Sequence, residues 1–440
     1  MRSKISIFWF RRDLRLEDNV GLSQALSNQT PVLPLFIFDT DILEKLEDTS
    51  DRRLDYIHHA LVKINKELKT FASTLNTFYG KPLNVFKNLA ETYAIEAVYC
   101  NQDYEPQAIK RDTEICQYCK EQNIAFRVFK DQVIFHKTEI VKNDAAPYTV
   151  YTPYSKKWKA LLAEKDYKPH HADFSKFLKQ DFAEIHSLEA IGFKQTGIHF
   201  ETPELDTKII DEYHQYRDFP ALQRTTQLGI ALRFGTISVR KSVAFALQHN
   251  QTWLNELIWR EFFMQILYHF PKVVNQSFKA KYDFIQWRNN EQEFKWWCEG
   301  KTGYPIVDAG MRQLNRTGYM HNRVRMIVAS FLCKHLLIDW RWGEAYFAQK
   351  LNDYDLSANN GNWQWAAGCG CDAAPYFRVF NPALQAEKFD KNLVYIKKWL
   401  PEFGTNDYPE PIVEHSFARD RALLAYKKAL QSTDQPPSLF

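Results

Sequence analysis

The chain has 440 residues, which is more than a single hydrophobic core usually serves, so two or three domains are expected. Hydrophobic residues make up 45% and charged residues 25% of it, which are ordinary values for a globular protein. The formal net charge of +4 is too small to identify a nucleic-acid-binding protein by itself. Aromatic residues reach 15%, and ten of the twelve tryptophans lie beyond residue 250, so any function that needs indoles is expected there.

The amino-terminal sequence lacks the pattern of a secretory signal. Charged residues at 11–13 follow the first apolar run too early for the core of a signal peptide. No run approaches the ~18 apolar residues of a membrane span. We therefore expect a cytoplasmic protein that does not associate with membranes.

The seven cysteines fit a reducing compartment better than a disulfide framework. Cys116 and Cys119 form a C-x-x-C pair, and Cys369 and Cys371 form a C-x-C pair. Neither pair has a second pair at zinc-ribbon spacing, so no metal site is expected.

The first 130 residues have the spacing of a parallel α/β sheet. Apolar runs at 5–10 and 32–38 predict two strands, and the segment 19–26 between them predicts a helix. The pattern continues with a helix at 52–71, a strand at 97–100, a helix at 106–122 and a strand at 125–129. We predict a Rossmann-like α/β domain over residues 1–130. No G-x-G-x-x-G motif follows its first strand, so a dinucleotide is not expected there in the usual Rossmann manner.

The pattern changes twice after this domain. Residues 131–202 are polar and interrupted by Pro147, Pro153 and Pro169, which predicts an inter-domain connector. Residues 203–440 have a helical period throughout and are predicted to form an all-α domain.

Two segments near the start of the helical domain have a pattern typical of binding sites. The segment 213–220 is followed at 225–229 by Thr-Thr-Gln-Leu-Gly, whose backbone and hydroxyl donors suit a phosphate, although any helix start can look similar. Farther on, Trp253, Glu256 and Trp259 share one helix face with Arg260. An acid between two indoles is costly to bury without a function, but a surface pair between Glu256 and Arg260 is the alternative.

A third segment, 318–326, carries Asn322 and Met326 four positions apart, with arginines between them. These arginines could reach phosphates, or pair with Asp353 or Asp355 farther along the chain. Ordinary salt bridges on a helix surface are the alternative.

The fourth segment, 359–367, is the candidate working centre. If it is helical, Asn359 and Trp363 lie on one face, whereas Trp363 and Trp365 point to roughly opposite sides. One indole would then face inward and the other a cavity. Two tryptophans that only fill a core are the alternative interpretation.

Five stretches together carry a family resemblance. They are residues 9–15 (WFRRDLR), 255–262 (NELIWREF), 299–308 (EGKTGYPIVD), 321–323 (HNR) and 359–382. The chain resembles the cryptochrome/photolyase family from residue 5 to about residue 401, and within it the class I cyclobutane pyrimidine dimer photolyases. The resemblance implies an α/β antenna domain, a connector, and a helical domain that holds FAD. It also implies a monomer that repairs UV-damaged DNA with blue light.

The resemblance implies roles for individual residues. Contacts to FAD are implied for Tyr213, Thr225, Thr226, Gln227, Leu228, Gly229, Arg325, Asp353, Asp355 and Asn359. Five residues are implied to line the pocket for a flipped dimer: Glu256, Trp259, Asn322, Met326 and Trp365. A chain of electron-transferring indoles is implied for Trp287, Trp340 and Trp363, and contacts to DNA phosphates for Arg323 and Arg378.

The chain departs from the family pattern at two places. Gly229 stands where a serine is common in the phosphate turn, which leaves only backbone donors there. Gln107 and Ala108 stand where folate-binding members carry polar and acidic ligands. A second, antenna chromophore, a folate or a deazaflavin, is therefore an open question.

Two other functions are alternatives within the family. A light-signalling cryptochrome is disfavoured because Glu256, Trp259 and Trp365 are all retained. A (6-4) photolyase would have a histidine where this chain has Asn322, and His321 is the adjacent residue. The choice between the two lesions therefore depends on a register of one residue.

Overall fold

The structure is a computed structural model that describes residues 2–198 and 200–431. Its contacts divide the chain into two compact units, each discontinuous in sequence. The first comprises the residues up to 140 together with 158–205 and 227–249. The second comprises 141–157, 206–226 and the residues from 250 onward. The linear boundaries at 130 and 202 remain a prediction.

The first unit contains a parallel sheet of five strands in the order β3-β2-β1-β4-β5. The strands are β1 Lys4–Phe10, β2 Val32–Asp39, β3 Asn76–Gly80, β4 Ala94–Asn101 and β5 Ala125–Phe129. Every neighbouring pair is parallel. The predicted α/β fold class is confirmed.

The burial of β1 and β2 explains why the sequence predicted these two strands clearly. All eight residues of β2 are buried, and in β1 only Lys4 is exposed. Parallel strands covered on both faces have near-continuous apolar runs instead of alternation. The covering helices are α1 Val20–Leu26, α2 Thr40–Leu43, α3 Arg52–Lys69, α4 Pro82–Thr92 and α5 Pro106–Glu121.

The sequence prediction omitted β3 and α4. The strand β3, with the sequence NTFYG, lies at the sheet edge and none of its residues is fully buried. A short polar strand that ends in glycine gives little periodic signal. The helix α4 is amphipathic, with Val85, Phe86 and Leu89 buried.

The helix α6, Tyr151–Leu161, crosses the division between the units at residue 158. Two short helices, α7 Glu164–Tyr167 and α10 Gly229–Phe234, and the longer α11 Val239–His249 belong to the first unit.

The second unit is built from helices, as predicted for this part of the chain. Its helices are α8 Thr207–Asp211, α9 Tyr213–Tyr216, α12 Gln251–His269, α13 Glu291–Glu299, α14 Pro305–Thr317, α15 Asn322–Ser330, α16 Trp340–Lys350, α17 Leu356–Ala367, α18 Pro382–Phe389, α19 Val394–Trp399 and α20 His415–Gln431. A π-helical turn, Phe331–His335, follows α15 directly. A hydrophobic core centred on α14, α15, α16 and α17 holds the unit together.

The segment 227–249 packs against the start of the chain within the first unit. Leu14 donates its backbone N–H to the carbonyl of Phe234 at 2.9 Å. Gly235 has φ +64°, and a Cβ there would lie 2.4 Å from the carbonyl oxygen of Arg12. Only glycine satisfies both the backbone conformation and the close approach.

A buried ionic cluster joins the same two segments. The carboxylate of Asp131 accepts from Arg15 at 2.7 Å and from Arg240 at 2.8 Å. Asp131 is 2% exposed. Burial alone would raise the pKa of Asp131, but the two guanidinium groups lower it to about 2.

None of the helices formed by the described residues combines the length and apolar character that a membrane-spanning helix needs. All seven cysteines are free thiols.

We expect Asp131→Asn to lower the free energy of unfolding of the first unit by about 3–5 kcal/mol, because it removes the buried carboxylate that pairs with Arg15 and leaves Arg240 with Asp18 alone as its counter-charge. Urea unfolding followed by circular dichroism would measure this change. Glu96→Gln is the control, since the pair between Lys4 and Glu96 is exposed and should contribute little. Equal, small effects of both substitutions would show that the cluster is not a structural requirement.

Candidate active site

The second unit contains a cleft with an empty volume of about 600 Å³, part of it open to solvent. Its walls come from α15, α16, α17 and the loop that precedes α17. Eight residues singled out from the sequence line it: Asn322, Arg325, Met326, Asp353, Asp355, Asn359, Trp363 and Trp365.

Helical spacing brings most of these residues to the cleft. On α15, Asn322, Arg325 and Met326 are separated by three and four positions and therefore share a face. On α17, Asn359 and Trp363 are four apart and share a face in the same way.

Both indoles of α17 border the cleft. Asn362, Trp363, Trp365 and Ala366 all line it, so the cleft extends around more than one face of the helix. Trp363 is the more deeply buried indole at 2% exposure, and it packs edge-on against Phe347 with ring centroids 5.0 Å apart. Trp365 is half-buried.

Charged groups in the cleft are held by defined partners. Arg325 donates to both carboxylate oxygens of Asp353, at 2.9 and 3.2 Å, and its Nε donates to the carbonyl of Met320 at 2.7 Å. Asp355 is the N-cap of α17 and accepts from the backbone N–H of Ser357 at 3.1 Å. The cap fixes the start of the helix that carries the indoles.

The amide of Asn359 is oriented by a residue that the sequence analysis did not single out. Its Nδ2 donates to the carboxylate of Glu344 at 2.8 Å and to the carbonyl of the same residue at 3.1 Å. Burial raises the pKa of Glu344, and the hydrogen bond from Asn359 opposes this shift. With both amide hydrogens directed at Glu344, Asn359 has only its oxygen left as an acceptor.

Glu256 lies on α12, is not one of the residues that line the cleft, and forms an ion pair. Arg217, which follows α9, donates to its carboxylate at 2.6 Å. Burial raises the pKa of Glu256, and Arg217 acts in the opposite direction. The guanidinium also lies 5.3 Å from the ring centroid of Tyr213. The pair seen here joins Glu256 to Arg217 instead of the predicted alternative, Arg260.

The helices α12 and α17 approach closely at a glycine. A Cβ on Gly361 would lie 2.2 Å from the ring of Phe263, so no other residue fits without displacement. Trp259 stands one turn before Phe263 and stacks on Tyr151, with ring centroids 3.6 Å apart and planes 4° from parallel.

At the start of α15, the two adjacent residues on which the choice between the two lesions depends have different surroundings. His321 is the N-cap of α15, is 3% exposed, and accepts the backbone N–H of Arg323. Burial lowers the pKa of His321 to about 4. Asn322, by contrast, lines the cleft.

The two predicted phosphate-contacting arginines differ in their surroundings. Arg323 donates to Asp218 at 2.7 Å and lies 4.4 Å from the ring centroid of Phe389. Arg378 is exposed.

The remaining predicted residues lie elsewhere. Trp340 is buried at the start of α16, and Trp287 is half-buried with its ring centroid 6.0 Å from that of Tyr426. The predicted phosphate turn is divided: Thr225 and Thr226 belong to the second unit, and Gln227, Leu228 and Gly229 to the first. Within the second unit, Thr225 shares a hydrogen bond of 3.1 Å with the hydroxyl of Tyr319. The role of this turn remains a prediction.

Comparison with known proteins decides the family. The family model described as DNA photolyase matches residues 6–172, and the model described as FAD binding domain of DNA photolyase matches residues 253–406. The deoxyribodipyrimidine photo-lyase of Synechococcus is 36% identical over an alignment 477 residues long, which spans 98% of each chain. The chain belongs to the DNA photolyase family.

Solved photolyase structures agree with this assignment. A bacterial class III photolyase from Agrobacterium tumefaciens superposes with a TM-score of 0.87 at 32% identity, covering 98% of this chain and 99% of that one. An archaeal photolyase from Sulfolobus tokodaii, solved with two FAD molecules, gives a TM-score of 0.82 at 34% identity, covering 96% of this chain and 99% of that one. Assignment of this photolyase to class I remains a prediction.

The cleft fits the FAD that a photolyase of this family binds. Trp363 supplies an apolar wall, Arg325 a cation, and Asn359 an amide oxygen that can meet the polar edge of a ring system. Asp353 and Asp355 are acceptors for hydroxyl groups such as those of a ribityl chain.

Three residues at or beside the site escaped the sequence analysis. Arg217 lies in the segment 213–220 but was given no role of its own, Glu344 was not singled out, and Tyr151 was assigned to the connector; each contacts a predicted site residue. Each contact joins residues far apart in sequence, and helical spacing carries no signal for it.

We expect Gly343→Ala to reduce the FAD retained by the purified protein. The new Cβ would lie 2.1 Å from Trp363, and the indole would be displaced toward the cleft. Gly310→Ala is a matched control, because its Cβ would lie 2.4 Å from Val324 and would not touch Trp363. Flavin absorbance per mole of protein and the thermal midpoint measure both effects. A similar loss of FAD in both variants would count against a specific role for the position of Trp363.

Proposed function

We propose that this photolyase repairs cyclobutane pyrimidine dimers in DNA, after a dimer has been flipped out of the duplex into the helical unit. Reduced FAD, when bound, supplies the electron that light promotes toward the dimer. One observation carries the proposal. Asn322, Met326 and Trp365, the predicted dimer contacts, border the same cleft as the predicted FAD contacts Arg325 and Asn359.

Extrusion of the lesion needs compensation from the protein. Photolyases are among the enzymes that take their target base out of the stack, at a cost of a few kcal/mol that is smallest for damaged bases. Base stacking on an aromatic side chain contributes about 1–3 kcal/mol in single-strand binders. Trp259 and Trp365 are proposed to supply this stacking.

Polar groups in the pocket would act where charge develops on the dimer. The side-chain amide of Asn322 would donate to pyrimidine carbonyl oxygens, and the carboxylate of Glu256 would accept from the pyrimidine N–H. Arg217 favours the charged form of Glu256 and also holds its carboxylate in place. Groups fixed before the reaction need no reorganisation during it, which is the main source of electrostatic stabilisation in enzymes.

The geometry at the start of α15 supports dimers over (6-4) photoproducts. Of the two adjacent residues His321 and Asn322, it is Asn322 that lines the cleft. His321 is committed to capping the helix and has its pKa lowered to about 4, so it is a poor proton donor at neutral pH.

The proposal takes UV-damaged DNA as the partner and a cytoplasmic monomer as the working form. Seven free cysteines are consistent with a reducing compartment. A second chromophore remains open, and an absorption spectrum of the purified protein would report it.

We expect the wild-type protein to repair a dimer-containing oligonucleotide under blue light and to leave it unchanged in darkness.

Glu256→Ala should weaken lesion binding about ten- to hundredfold, as expected for loss of a charged hydrogen bond, and leave FAD bound. Glu256→Gln keeps the shape of the side chain and should lose less. Unaltered repair by Glu256→Ala would remove the residue from the pocket, and failure of the wild type would reject the function.

We expect Trp363→Phe to slow the photoreduction of oxidised FAD, because phenylalanine is a far poorer electron donor than an indole. Repair should persist when the flavin is reduced chemically beforehand. Trp399→Phe is the control, since this half-buried indole on α19 does not line the cleft. Photoreduction at the wild-type rate in Trp363→Phe would reject the proposed chain of indoles.

We expect Arg323→Ala to weaken binding to DNA and to reduce the slope of log affinity against log salt by about one, the change expected for one phosphate contact. Arg316→Ala, at an exposed position of α14, serves as the control. Fluorescence anisotropy at several salt concentrations gives the slope. A slope equal to that of the wild type would exclude Arg323 from the phosphate contacts.

A further inference from the structure

The stacking partner of Trp259 is the first residue of α6. The ring of Tyr151 lies 3.6 Å from the indole between centroids, at 4° from parallel. This is a closer and flatter contact than those of Trp259 with Phe262 and Phe263, whose centroids are 5.6 and 5.5 Å away. One face of the indole is therefore covered by Tyr151, whereas the ring of Phe263 lies farther away and is tilted by 29° from the indole plane.

Two hydrogen bonds fix Tyr151 in this position. Its hydroxyl donates to the carbonyl of Asn255 at 2.9 Å, one helical turn before Trp259. Its backbone N–H donates to the carboxylate of Asp372 at 3.0 Å. Tyr151 is thus anchored to the helix that carries Trp259 and to a second, separate segment.

The second anchor connects Tyr151 to the helix of the other indole. Asp372 lies in the loop that leaves α17, which carries Trp365. In this loop the backbone N–H of Gly370 donates to the carbonyl of Gln364 at 3.0 Å. A continuous set of contacts, all within the second unit, therefore runs from Trp259 through Tyr151 and Asp372 to the end of α17.

We propose that Tyr151 is a positioning residue for recognition of the lesion. It supports one face of Trp259 so that the other face receives a pyrimidine, and together with Asp372 it sets the separation of the two indole walls. This inference rests on the proposed function of the pocket. It predicts an effect on damaged DNA alone, because undamaged DNA presents no flipped base to Trp259.

The test measures binding in the dark, with dimer-containing and undamaged duplexes of the same sequence. Tyr151→Leu removes the stacked ring and should weaken binding to the dimer about three- to tenfold, the range expected for loss of an aromatic pair, with undamaged DNA bound as before. Tyr151→Phe keeps the ring and should retain most of the discrimination. Asp372→Asn should shift discrimination in the same direction as Tyr151→Leu. FAD content and the unfolding midpoint are measured for every variant.

A double-mutant cycle separates positioning from a general structural role. In a Trp259→Leu background, replacement of Tyr151 by leucine should have no further effect on dimer binding, because the indole it supports is absent. The same loss in both backgrounds would overturn the proposal. Unchanged discrimination in Tyr151→Leu would also overturn it.

Tighter binding of the dimer by Tyr151→Leu would contradict the proposal in a different way, since it would mean that the tyrosine occupies the place of the base. Tyr151→Phe and Asp372→Asn keep the test decisive even if Tyr151→Leu fails to fold. If the wild-type protein did not distinguish the two duplexes, the proposed function would fail, and this inference with it.

Discussion

The helical unit depends on the burial of α17 by neighbours on several sides. It packs against α12, α15 and α16, and glycines stand where two of these contacts are closest. Such a helix cannot have one apolar stripe and one solvated face. Its polar side chains must find partners inside the protein, and Gln364 does so by accepting from the N–H of Phe278 and donating to the carbonyl of Val273. These bonds fix the rotation of the helix and therefore the direction of both indoles.

The same constraint explains the chemistry of the cleft. Polar groups that lose part of their contact with water are costly unless they are hydrogen-bonded. Asp355 is satisfied by the amino end of α17, Arg325 by Asp353, and Asn359 by Glu344. Each group is therefore held in one orientation before any ligand arrives. A cofactor placed among them would meet donors and acceptors that need no rearrangement.

Local pattern and long-range contact contributed differently to what the sequence could predict. The strands β1 and β2 were predicted because burial on both faces leaves continuous apolar runs, whereas the polar edge strand β3 was missed. In the site, spacing along a helix predicted neighbours such as Asn322 and Met326. Partners from other segments were missed: Arg217 for Glu256 and Glu344 for Asn359. The wide cleft around α17, with Trp363 and Trp365 both on its wall, also depends on how helices pack, which periodicity does not encode.

Charge pairing around the cleft bears on how DNA would be recognised. Arg217, Arg323 and Arg325 each have a carboxylate partner within the second unit. A paired arginine that moves to a phosphate exchanges one anion for another, so its net gain is smaller than that of a free cation. With a formal net charge of only +4, the chain has little surplus for sequence-independent attraction to the DNA backbone. Under the proposed function, discrimination would then come mainly from the pocket, where stacking and fixed hydrogen bonds would be available only to a base that has left the duplex.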